Sequence, residues 1–382
     1  MNPYQRGTFG YDLLYLLDKG KDMYLLTSKD ALAQIIVSPR YQGKVFTSTA
    51  QGLDGRSLGF VNYKVFESNQ LNEHMNGYGG ENRLWIGPEG GAFSIFFRPG
   101  VEQVYDHWYT PKPLDTEPWQ KLASDKKSIT MQKEMQVSNY IGTQLHPKVH
   151  RKVTILELPQ ITSLLGIATP GKEIQTVAYT TENTLTNLND FAWTPATGTI
   201  CLWMLDMFRT GQRAFTLVPY LQGNEKTLGA VATTAYFGQI PPKRYKEKDG
   251  CVFLKTDGKY RSKIGLNSKR TKAIAGNYDP DTRHLTVATF HVDPNAIYLN
   301  QEWNPQKDPL TGDVFNAYND GPLHDGSIMG PFSELESDSP AALLAPGESL
   351  THWHNVFHFV GEETHLDTIA QTLFGVSLRN VW

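Results

Sequence analysis

Apolar and polar residues alternate with a period of two along almost the whole chain, and this pattern is typical of β-strands with one buried face. The alternation predicts more strands than one open twisted sheet accommodates, so we expect two packed sheets and an all-β fold. The predicted strands are residues 23–27, 32–38, 45–49, 92–98, 128–136, 149–157, 175–182, 199–205, 214–218, 252–255, 272–278, 284–292, 332–337 and 350–360.

Helices are few and short in this pattern. The clearest begins at Thr364 as its cap, carries an apolar stripe that includes Leu366 and Phe374, and ends before Gly375, which suits a left-handed position. A second is predicted over residues 159–165. We expect both to cover a sheet edge or a back face. Turn signals are regularly spaced with no linker between them, which predicts one domain over residues 1–382.

Charge and motif content exclude several classes of function. The 36 basic and 39 acidic residues give a net charge of -3, so no field steers a polyanion and we do not expect a nucleic-acid partner. No apolar stretch reaches the ~20 residues that span a bilayer. Cys201 and Cys251 lack metal-ligand spacing and are predicted to be buried free thiols. No phosphate loop, dinucleotide fingerprint or nucleophile elbow is present, so no cofactor is expected.

The first residues do not form a signal peptide, although the start is abrupt, as if a leader had been removed. A periplasmic or secreted location follows if that is so, and the sequence leaves localisation open.

Polar and aromatic candidates concentrate in the glycine-rich segment 72–91. His74, Arg83, Trp85 and Glu89 stand there among closely spaced glycines. A glycine-rich loop can bring a guanidinium and an indole against a ligand, and binding residues are often on loops. The alternative is a surface turn in which Arg83 pairs with Glu89.

A second group lies on the predicted strand 332–337. Alternation places Phe332, Glu334, Glu336 and Asp338 on one face, with successive carboxylates ~7 Å apart by strand rise. Like charges at that spacing raise at least one pKa, as a general base near neutral pH requires. The alternative is a solvated acidic edge.

Three imidazoles share one face of the strand 350–360. His352, His354 and His358 could suit a transition metal. However, His354 and His358 are ~13 Å apart by strand rise, so one strand cannot bring all three to one ion. We therefore predict no metal, and expect these histidines to face solvent or, for His352 and His354, a sugar.

Two weaker candidates lie in predicted turns. Residues 257–263 read as a basic hairpin in solvent, with Lys263 retained as a substrate contact. In residues 316–322, the side chains of Asn319 and Asp320 could bind sugar hydroxyls or a cation, or could simply cap the turn.

Residues 332–340, 344–350 and 357–359 resemble the C-terminal portion of aldose 1-epimerases, in which a Leu-Glu-Thr-like strand precedes a Pro-Gly-Glu turn and a final strand. Residues 79–85 and 318–322 are closer still to an uncharacterised bacterial family with the galactose mutarotase-like fold, over nearly the whole chain. The resemblance implies a β-supersandwich that holds a carbohydrate in its concave sheet.

The same resemblance implies that Glu336 is the base that takes the proton of the anomeric hydroxyl, while a histidine protonates the ring oxygen. The family's Thr-Asn-His motif corresponds here to residues 199–206, which contain no histidine. His74 or His146 could replace it.

Our leading hypothesis is a carbohydrate-active protein, and its enzymatic form would be an aldose epimerase. In this hypothesis Glu336 is the base, Arg83 donates a fork of hydrogen bonds to sugar oxygens, and Trp85 is a stacking platform. A non-catalytic sugar-binding protein, and a polysaccharide lyase or hydrolase on the same scaffold, are the alternatives.

Overall fold

The computed structural model describes residues 2–20, 22–323, 326–379 and 381–382. It is dominated by strands, which are β1 Tyr24–Thr27, β2 Gln34–Ser38, β3 Lys44–Thr49, β4 Asn82–Gly87, β5 Gln120–Ser124, β6 Ser128–Glu134, β7 Val137–Ser138, β8 Gln144–Leu145, β9 Pro147–Ile155, β10 Gln175–Asn187, β11 Cys201–Arg209, β12 Phe215–Pro219, β13 Tyr245–Lys248, β14 Cys251–Lys255, β15 Ser262–Leu266, β16 Ile274–Asp279, β17 His284–Phe290, β18 Phe315–Asn319, β19 Phe332–Asp338 and β20 Ser349–Val360.

The helices are short by comparison. They are α1 Phe9–Lys19, α2 Tyr63–Ser68, α3 Lys112–Asp115, α4 Leu158–Leu165, α5 Glu225–Leu228 and α6 Glu363–Phe374, with a 3-10 turn at Tyr105–His107. None of the helices in the described ranges is long and apolar enough to cross a membrane.

Two large antiparallel sheets form the body of the protein. The eight-stranded sheet has the order β1-β2-β3-β4-β11-β19-β18-β15, and the ten-stranded sheet has the order β13-β14-β12-β16-β17-β20-β10-β9-β6-β5. A small third sheet pairs β7 with β8. Two packed sheets are the arrangement expected from the number of strands, and that prediction is confirmed.

The space between the two large sheets is partly polar. His354 Nε2 on β20 lies 2.7 Å from Asp206 Oδ2 on β11, and His358 Nε2 lies 2.9 Å from Glu81 Oε1. Arg151 on β9 is fully buried and binds Asn82 and Asn183. These contacts show which faces of β4 and β11 in the eight-stranded sheet point inward, because side chains alternate along a strand.

Helices cover the outer faces of both sheets. Phe9 and Leu16 of α1 and Phe66 of α2 pack on Ile36 and Phe46, which point outward from β2 and β3. On the opposite side of the molecule, α4 and α6 pack on the ten-stranded sheet through a second apolar layer. The remaining outer face of the eight-stranded sheet, over β4, β11, β19, β18 and β15, carries the cavity described below.

Most predicted elements are present. The helix predicted over 159–165 is α4, the C-terminal helix is α6, Gly375 has φ +74°, and both cysteines are buried free thiols. The predicted cap Thr364 is wrong, because the N-cap is Glu362, two residues earlier, and α6 begins at Glu363. The predicted strand 92–98 is also wrong, because this segment forms turns and bends with its apolar side chains buried.

Besides α2, α3, α5 and the strands β5, β7, β8 and β13, the sequence prediction missed α1, β4, β15 and β18. The last three lie inside segments rich in glycine or turn residues, so turn chemistry concealed them. All three belong to the eight-stranded sheet, and their residues are buried.

Candidate functional site

The outward face of the eight-stranded sheet carries side chains from distant parts of the chain in register. Leu205 on β11 is paired with Arg83 on β4 and with Glu336 on β19. Two residues before Glu336 on β19, Glu334 is opposite Tyr318 on β18. Directly paired residues in antiparallel strands point to the same face. The sheet therefore aligns Arg83, Glu334 and Glu336 on one surface.

These side chains form the floor of a cavity of about 420 Å³. That volume lies within the range typical of small-molecule sites. The wall comes from loops and from the ends of other strands. The lining includes Arg83, Trp85, Glu89, Trp108, Trp203, Arg261, Lys263, Trp303, Tyr318, Phe332, Glu334 and Glu336.

Arg83 and Trp85 reach the cavity from a strand, whereas the sequence predicted that a loop would carry them. The strand β4 lies between β3 and β11, and all six of its residues are buried. The glycines that suggested a loop flank β4 instead. Leu84 and Ile86 belong to the core between the sheets, which leaves Arg83 and Trp85 facing outward.

Glu336 is held by two donors at the cavity floor. Lys263 Nζ donates to Glu336 Oε2 over 2.8 Å, and Trp203 Nε1 donates to the same oxygen over 3.0 Å. Glu336 Oε1 accepts from no residue in the described ranges, so it remains available to a ligand. The expectation of a basic hairpin in solvent is wrong for Lys263, which is 5% exposed on β15.

Burial alone lowers the pKa of Lys263, but the carboxylates of Glu336 and Glu89 outweigh it and raise that pKa. Lys263 therefore stays cationic in spite of its burial.

Glu334 forms a buried ion pair with Arg83. Burial raises the pKa of Glu334 to about 8, even though Arg83 acts in the opposite direction. The solvated acidic edge considered for this strand is therefore wrong, since Glu334 and Glu336 are both buried in the middle of the sheet. The alternative pairing of Arg83 with Glu89 is wrong as well.

Glu89 stands at the cavity wall beyond the end of β4. Burial raises the pKa of its carboxyl, Lys263 and a hydrogen bond from Trp303 lower it, and Glu336 raises it. The net shift is upward. Glu89 is therefore a carboxyl group that can retain a proton closer to neutral pH than an exposed glutamate does.

Four tryptophans supply flat apolar surface and donors. Trp85 lies edge-on to Trp203 at 5.7 Å and tilted toward Trp108 at 6.3 Å, and Trp108 stacks on Trp303 at 6.2 Å. The indole nitrogens of Trp85 and Trp108 and the Nε of Arg83 are buried without a hydrogen-bond partner among the described residues. A buried donor without a partner is costly.

The expectation that His352 and His354 face solvent or a sugar is wrong. Both are fully buried between the sheets, and their ring nitrogens bind Ser337 on β19. Burial, together with neighbouring His354, lowers the pKa of His352 to about 3. Polar partners on the facing sheet, Ser337 for both and Asp206 for His354, hold these imidazoles in the interior, so neither lines the cavity.

The other histidine candidates are also outside the cavity lining. His74 stacks between Tyr105 at 4.9 Å and Tyr109 at 4.5 Å, and its Nδ1 lies 2.5 Å from the carbonyl oxygen of Trp108. His146 lies outside the lining as well. Among the described residues, then, no histidine lines the cavity.

Asn319 and Asp320 have structural partners. The Oδ1 of Asn319 accepts from the backbone of Gly258, and its Nδ2 donates to the carbonyl oxygen of Tyr260. Asp320 accepts from the hydroxyl of Tyr318 and the backbone of Gly330. These contacts anchor the loops around the cavity, and neither side chain lines it.

Sequence reasoning missed Trp108, Trp203, Trp303, Arg261 and Tyr318 as cavity residues. Trp203 lies on a correctly predicted strand, and its outward direction follows from alternation once Asp206, which binds His354 between the sheets, is known to be interior. Trp108 and Trp303 lie in loops, where no periodic signal indicates a direction.

The chain was compared with protein-family models, curated protein sequences and solved structures. The model of a family described as Family of unknown function (DUF6786) matches residues 7–382. No curated protein sequence matches the chain.

Solved structures with the same fold are distant in sequence. A protein from Escherichia coli K12, provisionally assigned as an aldose 1-epimerase, superposes with a TM-score of 0.51 at 14% identity, covering 88% of this chain and 98% of that chain. The Slr1438 protein from Synechocystis sp. PCC 6803 has a TM-score of 0.52 at 13% identity, covering 89% and 96%.

A galactose mutarotase-like protein from Lactobacillus casei has a TM-score of 0.49 at 11% identity, covering 88% and 99%. The likeness to the first two of these structures, with the two large antiparallel sheets, confirms the expected galactose mutarotase-like, all-β fold.

Proposed function

This chain belongs to the DUF6786 family, and we propose that it binds a carbohydrate in the cavity lined by Arg83, Trp85 and Glu336. A sugar presents hydroxyl groups at its edge and apolar C–H groups on its faces. It therefore needs charged or polar groups that exchange hydrogen bonds, together with flat apolar walls.

One observation carries this proposal. The side chains of Arg83, Trp85 and Trp108 line the same cavity as Glu336, whose Oε1 accepts from no other described residue. Sugar hydroxyls are both donors and acceptors and sugar faces are apolar, so a sugar matches this combination of guanidinium, indole and carboxylate groups. The provisional assignment of the E. coli neighbour as an aldose 1-epimerase is consistent with a sugar ligand.

Titration calorimetry with glucose, galactose, mannose, xylose and glucuronate tests this proposal. We expect saturable binding of at least one sugar, and a loss of at least ~tenfold in affinity for Arg83→Met, because that variant removes the guanidinium donors. The matched control is Arg213→Met, whose partner Asp281 lies at the surface on another side of the protein. No binding across the whole panel would contradict the proposal.

A second candidate function is aldose epimerisation, favoured by the pairing of Glu336 with Glu89 around Lys263. The free Oε1 of Glu336 would accept the proton of the anomeric hydroxyl. Glu89, whose pKa is raised by burial, would donate its proton to the ring oxygen as the bond from C1 to that oxygen breaks. Closure after rotation about the C1–C2 bond would return both protons and give the other anomer.

Glu89 takes the role of general acid in this candidate because His74 and His146 lie outside the cavity lining. Exchange NMR of freshly dissolved sugar anomers tests the chemistry. We expect Glu336→Gln and Glu89→Gln each to reduce the rate by about a hundredfold or more, since general acid and base groups each contribute that much. His74→Gln is the control and should leave the rate unchanged.

The same assays separate the remaining alternatives. Sugar binding without any acceleration of anomer exchange over buffer would identify a non-catalytic carbohydrate-binding protein. New chain ends released from a polysaccharide by the wild type, and lost in Glu336→Gln, would identify a hydrolase or lyase instead.

A further inference from the structure

The cavity is elongated along the strands. Trp203 at one end is paired with Asp338 on β19, while Tyr318 is paired with Glu334 on the same strand. Positions 334 and 338 are ~13 Å apart at the usual rise of a strand. Phe332, two positions beyond Glu334, also lines the cavity. The cavity therefore extends further than a single pyranose ring.

Aromatic side chains form two groups at the two ends of this length. The inner aromatic group is the tryptophan set already described: Trp85, Trp108, Trp203 and Trp303. The outer aromatic group consists of Phe60, Phe237, Tyr318 and Phe332, with ring centroids 5.2–6.0 Å apart along Phe60–Phe332–Tyr318–Phe237. No ring contact joins the two groups within the described ranges.

Most rings of both groups are buried, and Phe237 is the exception. Trp85, Trp108 and Trp203 are at most 5% exposed, and so are Tyr318 and Phe332, whereas Phe237 in the outer group is 40% exposed. Ile328 and Met329, both nearly half exposed, line the cavity as well. Phe237 therefore brings the outer group to the mouth of the cavity.

Each aromatic group has its own hydrogen-bonding groups. The carboxylate of Glu336 with Lys263 lies beside Trp203 in the inner part. In the outer part, the guanidinium of Arg261 lies 3.9 Å from the ring centroid of Phe237, and its Nε donates to Tyr318 over 3.2 Å. A stacking surface with adjacent donors and acceptors therefore occurs twice.

We propose that the cavity holds two consecutive sugar rings of an oligosaccharide, the first against the inner aromatic group and the second against the outer aromatic group. The inference rests on the proposed function and specifies its ligand class as a disaccharide or longer. We assign a second sugar ring to the outer aromatic group because this part of the cavity is continuous with the inner part. It also carries the same combination of aromatic surface and charge.

Calorimetry with matched series tests this inference. The series are glucose with maltose and cellobiose, galactose with β-1,4-galactobiose, and mannose with β-1,4-mannobiose. In the series that binds, we expect the disaccharide to bind on the order of tenfold tighter than its monosaccharide. Phe237→Ala should remove that gain and leave the affinity for the monosaccharide within about twofold.

Arg261→Gln is the second variant, because it alters the same outer group through a different side chain. Trp353→Ala is the control, since Trp353 is 46% exposed on the ten-stranded sheet away from the cavity. Equal affinities for monosaccharide and disaccharide, or a gain that persists in both outer-group variants, would overturn the two-ring inference alone. Failure of every sugar to bind would instead remove the proposed function together with it.

Discussion

Lys263 and Glu336 form a buried ion pair across the cavity floor, with Nζ 2.8 Å from Oε2 and side chains only 6% and 2% exposed. They reside on β15 and β19, which are separated by β18 in the sheet. A buried pair of this kind contributes little net stability when intact, but removing one partner leaves the other charge buried and unpaired. The pair therefore links the proposed ligand site to the stability of the sheet.

We predict that Glu336→Gln lowers the free energy of unfolding by about 3 kcal/mol, because the Lys263 ammonium loses its carboxylate partner in a buried position. Urea denaturation of the wild type and variant measures this. The double variant Lys263→Met, Glu336→Gln should recover part of the loss, since no unpaired charge remains. A double variant less stable than Glu336→Gln would contradict this account.

The buried carboxyl of Glu334 predicts a pH dependence of stability. Its pKa rises from 4.5 to about 8 on folding, so the folded protein binds the proton more tightly than the unfolded chain. The resulting stabilisation is fully present below pH 4.5 and is lost as the pH rises toward 8. Urea denaturation between pH 5 and 8 should show a decline in the wild type.

Glu334→Gln should flatten this decline, because the titrating group is absent. At pH 5, where Glu334 is protonated, the variant should be about as stable as the wild type, because the glutamine is also neutral and its oxygen can accept from Arg83. The control is Glu362→Gln, whose carboxylate is 61% exposed and pairs with Arg283 at the surface. A decline of unchanged slope in Glu334→Gln would assign the pH dependence to another group.

Part of the site could be predicted from strand alternation alone. Phe332, Glu334 and Glu336 were expected on one face, and all three line the cavity. A period of two determines which residues share a face, whatever the strand packs against. The same rule applies to Arg83 and Trp85, but the glycines around β4 indicated a loop, so the strand was not predicted.

What alternation cannot determine is which of the two faces is buried in the core. His352 and His354 were correctly placed on a shared face, yet this face lies between the sheets and not toward a ligand. Their partners, Ser337 and Asp206, come from the other sheet. Buried histidines are stable only where such partners exist, and the sequence of one strand does not reveal them.

The interior position of His354 gives a third prediction. His354→Leu should lower the free energy of unfolding by about 3 kcal/mol, because Asp206 loses the partner 2.7 Å away and stays buried. Sugar affinity should remain within about twofold, because His354 does not line the cavity. Urea denaturation and calorimetry measure the two effects separately. A selective loss of affinity with stability unchanged would place this imidazole in the ligand site instead.

Gly79 controls the approach of the chain to β4, and its replacement gives a fourth prediction. Its φ is +82°, and an added Cβ would lie 2.1 Å from the carbonyl oxygen of Phe60. Gly347 has a nearly equal φ of +79° with no atom within 4 Å of such a Cβ. The two glycines therefore have nearly the same φ but differ in the space around an added Cβ.

Gly347→Ala should cost about 1 kcal/mol of unfolding free energy, the usual penalty for a left-handed alanine. Gly79→Ala should cost ~3 kcal/mol or more, because the carbonyl of Phe60 must also move. It should weaken sugar binding as well, since this turn leads directly into the strand that carries Arg83 and Trp85. Equal losses of stability in the two variants would show that the backbone at Phe60 moves at little cost in free energy. The position of β4 would then not depend on the contact between Gly79 and Phe60.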